Sequence, residues 1–130
     1  MKKGLLLTVK SRVGLIADLS FILGSAHINI EDINVNTIGD LTIVNLKVSE
    51  DEKALEILKN NGYSPITYEG IILSLNNTPG ELAKVSKILA ENKIQIIRID
   101  IIERTDLKSI VSFEVDKMKK AKEVLQDFIL

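Results

Sequence analysis

Residues 4 to 10 alternate in character, with Leu5, Leu7 and Val9 on one side, and predict a half-buried strand. Gly14 then opens a helical pattern in which Ile16, Leu19, Leu23 and Ala26 fall at i, i+3, i+7 and i+10, a single buried stripe. Residues 28 to 38 read as a second strand, and Gly39-Asp40 is a hairpin signal. Residues 42 to 48 read as a third strand, with Val44, Leu46 and Val48 inward and Ile43, Asn45 and Lys47 outward. Ser49-Glu50-Asp51-Glu52 offers a helix cap and an acidic first turn. The helix runs to Asn60-Asn61-Gly62, a stop. Tyr63 to Thr67 gives a short fourth strand, and Pro65 within it points to an edge position.

The pattern then repeats. Placing Gly14 on Gly80, an offset of 80 − 14 = 66, lays Leu-Leu-Leu-Thr-Val (5 to 9) on Ile-Ile-Leu-Ser-Leu (71 to 75). His-Ile-Asn-Ile (27 to 30) falls on Lys-Ile-Gln-Ile (93 to 96), and Ile33 and Val35 fall on Ile99 and Ile101. One residue inserted in the next turn changes the offset to 67, after which Val44, Leu46 and Val48 match Val111, Phe113 and Val115. Ala54, Ile57 and Leu58 match Ala121, Val124 and Leu125 at the same offset.

The fold class is therefore α+β: two tandem ferredoxin-like βαββαβ modules, 1–69 and 70–130, each an antiparallel sheet with both helices on one face. Asn34, Asn36, Asn45 and Lys47 in copy one, and Arg98, Asp100, Ser112 and Glu114 in copy two, suggest that the other face is wet. The apolar phase changes between Ile30 and Ile33 and again between Ile96 and Ile99, so both second strands should carry a bulge near their start. Copy two reaches Phe128-Ile129-Leu130 straight after its second helix and lacks its last strand. The edge beside strand 71 to 75 then needs cover, from a neighbouring chain or from strand 63 to 69.

Of the 130 residues, 45% are hydrophobic and 27% charged, which describes a globular rather than a disordered chain. A net charge of −1 gives no basic field for nucleic acid or an anionic membrane. The cluster Lys117, Lys119, Lys120 and Lys122 reads as a solvated helix face. The absence of cysteine removes disulfides, thiol catalysis and thiolate metal sites, and fits a cytoplasmic protein. The apolar run in Met1-Lys2-Lys3-Gly4-Leu5-Leu6-Leu7 is too short for a signal core or a membrane span and reads as a buried strand.

Catalytic candidates are few. The one histidine, His27, stands where a helix ends, as does its counterpart Lys93, and both suit the negative end of a helix dipole. No metal ligand set, no nucleophile with a base near it in sequence and no phosphate-loop fingerprint is present, so no catalytic residue, metal or cofactor is assigned. Arg98, Asp100, Glu103 and Arg104 read as cross-strand ion pairs. The informative segment is the turn from first strand to first helix, Asn77-Thr78-Pro79-Gly80-Glu81-Leu82 in copy two. Pro79 presets a helix start, Gly80 leaves room for close approach, and the first helix amides have no internal partner. Such donors suit a carboxylate, and Asn77 adds a side chain that both donates and accepts.

That segment, with Ile94-Gln95-Ile96, resembles the ACT-domain pattern: a polar residue, Pro-Gly, an aliphatic helix, then an Ile-Asn-Ile-like element. Copy one offers Ser11-Arg12-Val13-Gly14-Leu15 and Ile28-Asn29-Ile30. The resemblance implies a regulatory module that binds an amino acid or similar small ligand between the first turn of one module and the second strand of its partner. It implies ligand-binding roles for Ser11, Arg12, Val13, Gly14, Leu15 and Asn29, and for Asn77, Thr78, Pro79, Gly80, Glu81 and Gln95. Copy one departs from the pattern in having Ser11 and Val13 where the family has Asn and Pro, and copy two in having Gln95 for Asn.

The expected protein is a non-enzymatic sensor that forms a homodimer and signals through a protein partner. The rival is a regulatory subunit of an amino-acid biosynthetic enzyme such as acetohydroxyacid synthase. An enzyme on the same scaffold, an acylphosphatase-like hydrolase, would want an arginine in the first turn, where Arg12 is the one candidate.

Overall fold

The alternation of the first residues becomes strand β1 (Gly4–Lys10) in a computed structural model that describes residues 4–130. The part of the strand reading that fell on Met1, Lys2 and Lys3 lies outside the described residues. The chain divides between Tyr68 and Glu69 into two units.

The first unit continues with α1 (Leu15–Ser25), β2 (Ile30–Ile38), β3 (Leu41–Val48), α2 (Asp51–Asn60) and β4 (Ile66–Tyr68). Its antiparallel sheet has the order β2-β3-β1-β4, the split βαβ arrangement. β4 begins after Pro65 rather than at Tyr63, because proline has no N–H to give the ladder. The second unit contains β5 (Ile71–Asn76), α3 (Glu81–Glu91), β6 (Ile96–Arg104), β7 (Lys108–Val115) and α4 (Met118–Val124), in sheet order β5-β7-β6. Strand 63 to 69 does not cover β5. β4 pairs with β1 of its own unit, and the chain's own tail reaches β5: Ile129 bridges Leu73, and Leu130 N–H donates to Ile72 O at 3.0 Å.

In the first core Leu5, Leu7, Val44, Leu46 and Val48 of the sheet meet Leu15, Leu19, Leu23, Ala54 and Leu58 of the helices. The buried stripe of α1 is led by Leu15 rather than Ile16, which is only partly covered. In the second core Leu73, Leu75, Val111 and Phe113 meet Val85, Leu89, Ala121 and Leu125. Each Leu, Val or Phe among them contributes about 1.5–3 kcal/mol when fully buried, so the cores explain why the apolar pattern repeats so closely. No helix among the described residues is long and apolar enough to cross a membrane.

The opposite sheet faces are less polar than the sequence suggested. Leu6, Ile43, Ile72, Ile110 and Ser112 are buried although they belong to neither helix-side cluster. Ile33, Val35, Ile99 and Ile101 keep the inward phase yet stay exposed, Ile101 by 55%, since they sit on the edge strands β2 and β6. The two anticipated bulges lie between Ile30 and Asp32 and between Ile96 and Arg98. The inserted residue is not in the turn. Both hairpins close across two residues, Ile38 opposite Leu41 and Thr105 N–H donating to Lys108 O, while a second shift in β6 falls between Ile101 and Glu103. Ile102 is therefore the insertion, accommodated as a bulge. Arg98 and Asp100 pair along β6 at 2.7 Å, not across strands, and are too exposed for the pair to be worth much.

Candidate functional site

The segment before α1 and that before α3 are the same turn. Gly14 has φ 86° and ψ 2°, and Gly80 has φ 88° and ψ −7°, the third position of a type II turn. In the second unit Glu81 N–H closes the turn on Thr78 O at 3.4 Å. A Cβ at either glycine would meet nothing within 4 Å, so the positive φ, not crowding, is what requires glycine. Pro79 holds the preceding position, where φ near −65° is wanted, and Val13, fully exposed, stands in its place in the first unit.

Each turn glycine is also the residue that precedes its helix. Asp18 N–H donates to Gly14 O and Lys84 N–H to Gly80 O, both at 2.9 Å. No side chain among the described residues caps either helix. In α3 the Glu81 N–H is used by the turn itself; the next main-chain donors of the helix, and the first of α1, are left for water or an anion. Leu15 contributes to such a site through its amide, because its side chain is in the core.

Ser11 and Asn77 turn toward the sheet. Ser11 Oγ is 2.8 Å from Thr42 Oγ1, and Asn77 Nδ2 donates to Thr105 O at 3.2 Å. Arg12 is also engaged. Its Nη2 donates to Tyr63 Oη at 2.6 Å and to Asp18 Oδ2 at 3.2 Å, while Tyr63 Oη donates to Asp18. Burial raises the Tyr63 pKa above its usual 10.0, helped by the Asp18 carboxylate and opposed by Arg12. In the second unit Lys84 replaces Asp18, and its Nζ lies 5.7 Å from the centre of the Phe128 ring. Asp18, Tyr63, Lys84 and Phe128 were not singled out in the sequence. Asp18 and Lys84 share the offset of 66 with the turn glycines, and that is the signal that could have found them.

Asn29 and Gln95 are exposed, each held by a two-way main-chain clasp. Asn29 N–H donates to Ser49 Oγ and accepts at its carbonyl from Ser49 N–H, both at 3.0 Å. Gln95 N–H donates to Asp116 Oδ1 at 2.9 Å and its carbonyl accepts from Asp116 N–H at 3.1 Å. Ser49 is thereby used as a clasp and does not cap α2, although Asp51 and Glu52 do supply the acidic first turn. Within one unit the turn and Asn29 flank opposite ends of α1, as the second turn and Gln95 flank α3. An eleven-residue helix is about 16 Å long, more than an amino acid spans. One module alone does not bring its two candidate clusters together on one small ligand.

His27 and Lys93 end the helices as expected, but by an unexpected conformation: φ is 60° and 58°.

A family model described as "ACT domain pair" matches residues 3–129. No curated protein matches this sequence. Among solved structures, a protein from Bacteroides thetaiotaomicron is 25% identical, with a TM-score of 0.56 over 97% of this chain and 87% of its own. The regulatory subunit of aspartate kinase from Thermus flavus is 17% identical, with a TM-score of 0.52 over 98% of this chain and 92% of its own. That from Thermus thermophilus, in ligand-free form, is 18% identical, with a TM-score of 0.50 over 96% and 90%.

Proposed function

The chain belongs to the ACT-domain family, as an ACT domain pair, and from that premise we propose that it is a cytoplasmic, non-catalytic sensor of an amino acid or a closely similar ligand. The carboxylate is held by the first main-chain donors after Gly14 or Gly80, with Arg12, Val13 and Leu15, or Thr78, Pro79 and Glu81, around it. Ser11 and Asn77 stand behind those turns. The ammonium and side group are met by Asn29 or Gln95 of a partner module. The observation that carries this reading is the pair of glycine-led turns with uncapped helix amides, repeated in both units. The length of α1 and α3 is what calls for a partner module, and a homodimer of chains supplies one. Signalling follows if the ligand favours one pairing of modules over another, since only differential affinity shifts such an equilibrium.

The test is a thermal-unfolding screen against the common amino acids at millimolar concentration. A ligand at about a hundred times its dissociation constant adds roughly 2.7 kcal/mol of stability, a shift of several degrees. No shift with any of them in a folded preparation sinks the proposal. The second reading makes the same pair a regulatory subunit of an amino-acid biosynthetic enzyme, and the names of the two Thermus chains favour it. It predicts that a pull-down from source-cell extract recovers a catalytic chain in fixed ratio.

A further inference from the structure

Among the described residues the buried polar side chains are Thr42 at 6% exposure, Ser109 at 9% and Ser112 at 6%. Thr42 and Ser109 occupy the same place in the repeat, 109 − 42 = 67. A buried hydroxyl left without a partner costs about 1–3 kcal/mol, so the surroundings of these two are constrained. Both find a partner in the residue three before the turn glycine. Ser11 Oγ lies 2.8 Å from Thr42 Oγ1, and Ser109 Oγ donates to Asn77 Oδ1 at 3.4 Å, a long bond.

The same residue is pinned to the hairpin by its main chain. Ser11 N–H donates to Asp40 O at 2.7 Å, and Asn77 N–H to Leu107 O at 2.9 Å. In the second unit the other end of the Asn77 amide is also taken, by Thr105 O at 3.2 Å. Different side chains, Ser with Thr and Asn with Ser, thus make one connection twice. The oxygen and the nitrogen of the Asn77 amide are each bonded to its own unit, which fixes the orientation of the side chain against the hairpin.

We infer that positions 11 with 42 and 77 with 109 are latches that fasten each glycine-led turn to the hairpin at the end of its edge strand, and that Asn77 is a positioning residue rather than a ligand contact. The latch stands on the contacts alone. Its consequence, that a ligand stilling the turn also stills the hairpin end of β2 or β6, rests on the sensor reading above.

The test uses the full chain, with Asn77→Ala and Asn77→Ser, followed by native-state amide exchange. N77A speeds exchange at the amide of residue 77 and at Lys108 by about tenfold, the upper range for one net hydrogen bond, while Ile94 and the α3 amides keep their rates. N77S, which imports the side chain used in the first unit, returns those rates to within about threefold of the parent. It also leaves the affinity for any amino acid found in the thermal screen within about threefold. Unchanged exchange in N77A overturns the latch, as does an N77S no better than N77A. Loss of ligand binding in N77S with the hairpin rates intact assigns Asn77 to the ligand and equally overturns the proposal. If the screen finds no ligand, the exchange rates still decide. Should N77A not fold, S109A loosens the same hairpin from the other side and gives the same reading.

Discussion

Replacing His27 with glycine should stabilise the first unit. His27 ends α1 at φ 60° and Lys93 ends α3 at φ 58°, and they are the non-glycine residues with positive φ among those described. Both sit in the same helix-ending motif. His27 N–H donates to Gly24 O at 3.0 Å and Ile28 N–H to Leu23 O at 2.9 Å; Lys93 N–H donates to Ala90 O at 3.0 Å and Ile94 N–H to Leu89 O at 2.9 Å. This is the Schellman pattern, with the apolar contact supplied by Ile28 near Leu23 in the first core and by Ile94 near Leu89 in the second. An L-residue in the left-handed region costs about 1–2 kcal/mol, and glycine returns about 0.5–1 of that through the freedom it adds to the unfolded chain. The net gain for His27→Gly is about 0.5–1 kcal/mol. For Lys93→Gly it is smaller, because a cation at a helix end contributes about 0.3–1 kcal/mol. Lys117 Nζ, which donates to Lys93 O at 2.6 Å, keeps its acceptor in either case, since that acceptor is main chain.

Urea unfolding measures the effect, with a constant slope as the condition for reading a midpoint shift as stability. His27→Ala separates backbone from side chain. It removes the imidazole but keeps a Cβ in the left-handed region, so it should match the parent rather than the glycine variant. A His27→Gly chain no more stable than His27→Ala refutes the strain argument. The two glycine changes lie in different units and share no partner, so their effects should add within about 0.3–0.5 kcal/mol.

Val13→Pro should gain about 0.4–1 kcal/mol in the same assay, because Pro79 already fills that place in the other turn, and Pro79→Val should lose as much. Gly4→Ala should cost about 1–3 kcal/mol, since its Cβ would run into the Tyr68 ring; most of the cost should vanish in a Tyr68→Ala background, which a double-mutant cycle reads directly. Tyr68 has its pKa raised above 10.0 by burial, and Tyr63 is raised by burial and by Asp18. A raised folded pKa means that the folded state holds the proton more tightly, so this contribution is complete below pH 10 and is lost as pH climbs through the folded values. Denaturant midpoints should therefore fall above pH 10, and less steeply in Tyr68→Phe; an unaltered slope in that variant would contradict the assignment.

The sequence pattern carried the element order and the paired bulges because both come from apolar periodicity, and burial imposes that periodicity twice. It misplaced what periodicity does not encode. The inserted residue was assigned to the turn because an extra residue looks cheapest there, yet the hairpin geometry is kept and the extra position, Ile102, is a bulge within β6. Ile43 and Ser112 were placed on a wet face because strict alternation makes every second residue outward, whereas both stand in central strands, flanked on each side by a neighbour, and are buried. His27 and Lys93 hid their conformation because glycine is the usual sign of a left-handed helix end. Of the candidate site, the turn glycines were legible from their type and spacing. The bonds of Ser11 and Asn77 to the hairpin were not, since they join residues about thirty positions apart that no local pattern links.

The two turns have kept one backbone and acquired different electrostatics. In the first unit a carboxylate, Asp18, is tied to a phenol and a guanidinium; in the second an ammonium, Lys84, faces the ring of Phe128. Tyr63 and Phe128 are separated by 128 − 63 = 65 rather than by the offset of 67 that relates the preceding helices, so the two contacts come from positions that are not equivalent in the repeat. The reversed charge has a suited partner in each unit. An α-carboxylate bound by main-chain donors would see the same geometry in both units. Any group beyond it would meet Arg12 with its counter-charge in one and uncharged Thr78 in the other. Shared backbone with unlike surroundings is the arrangement expected when both copies must fold alike but need not recognise the same ligand.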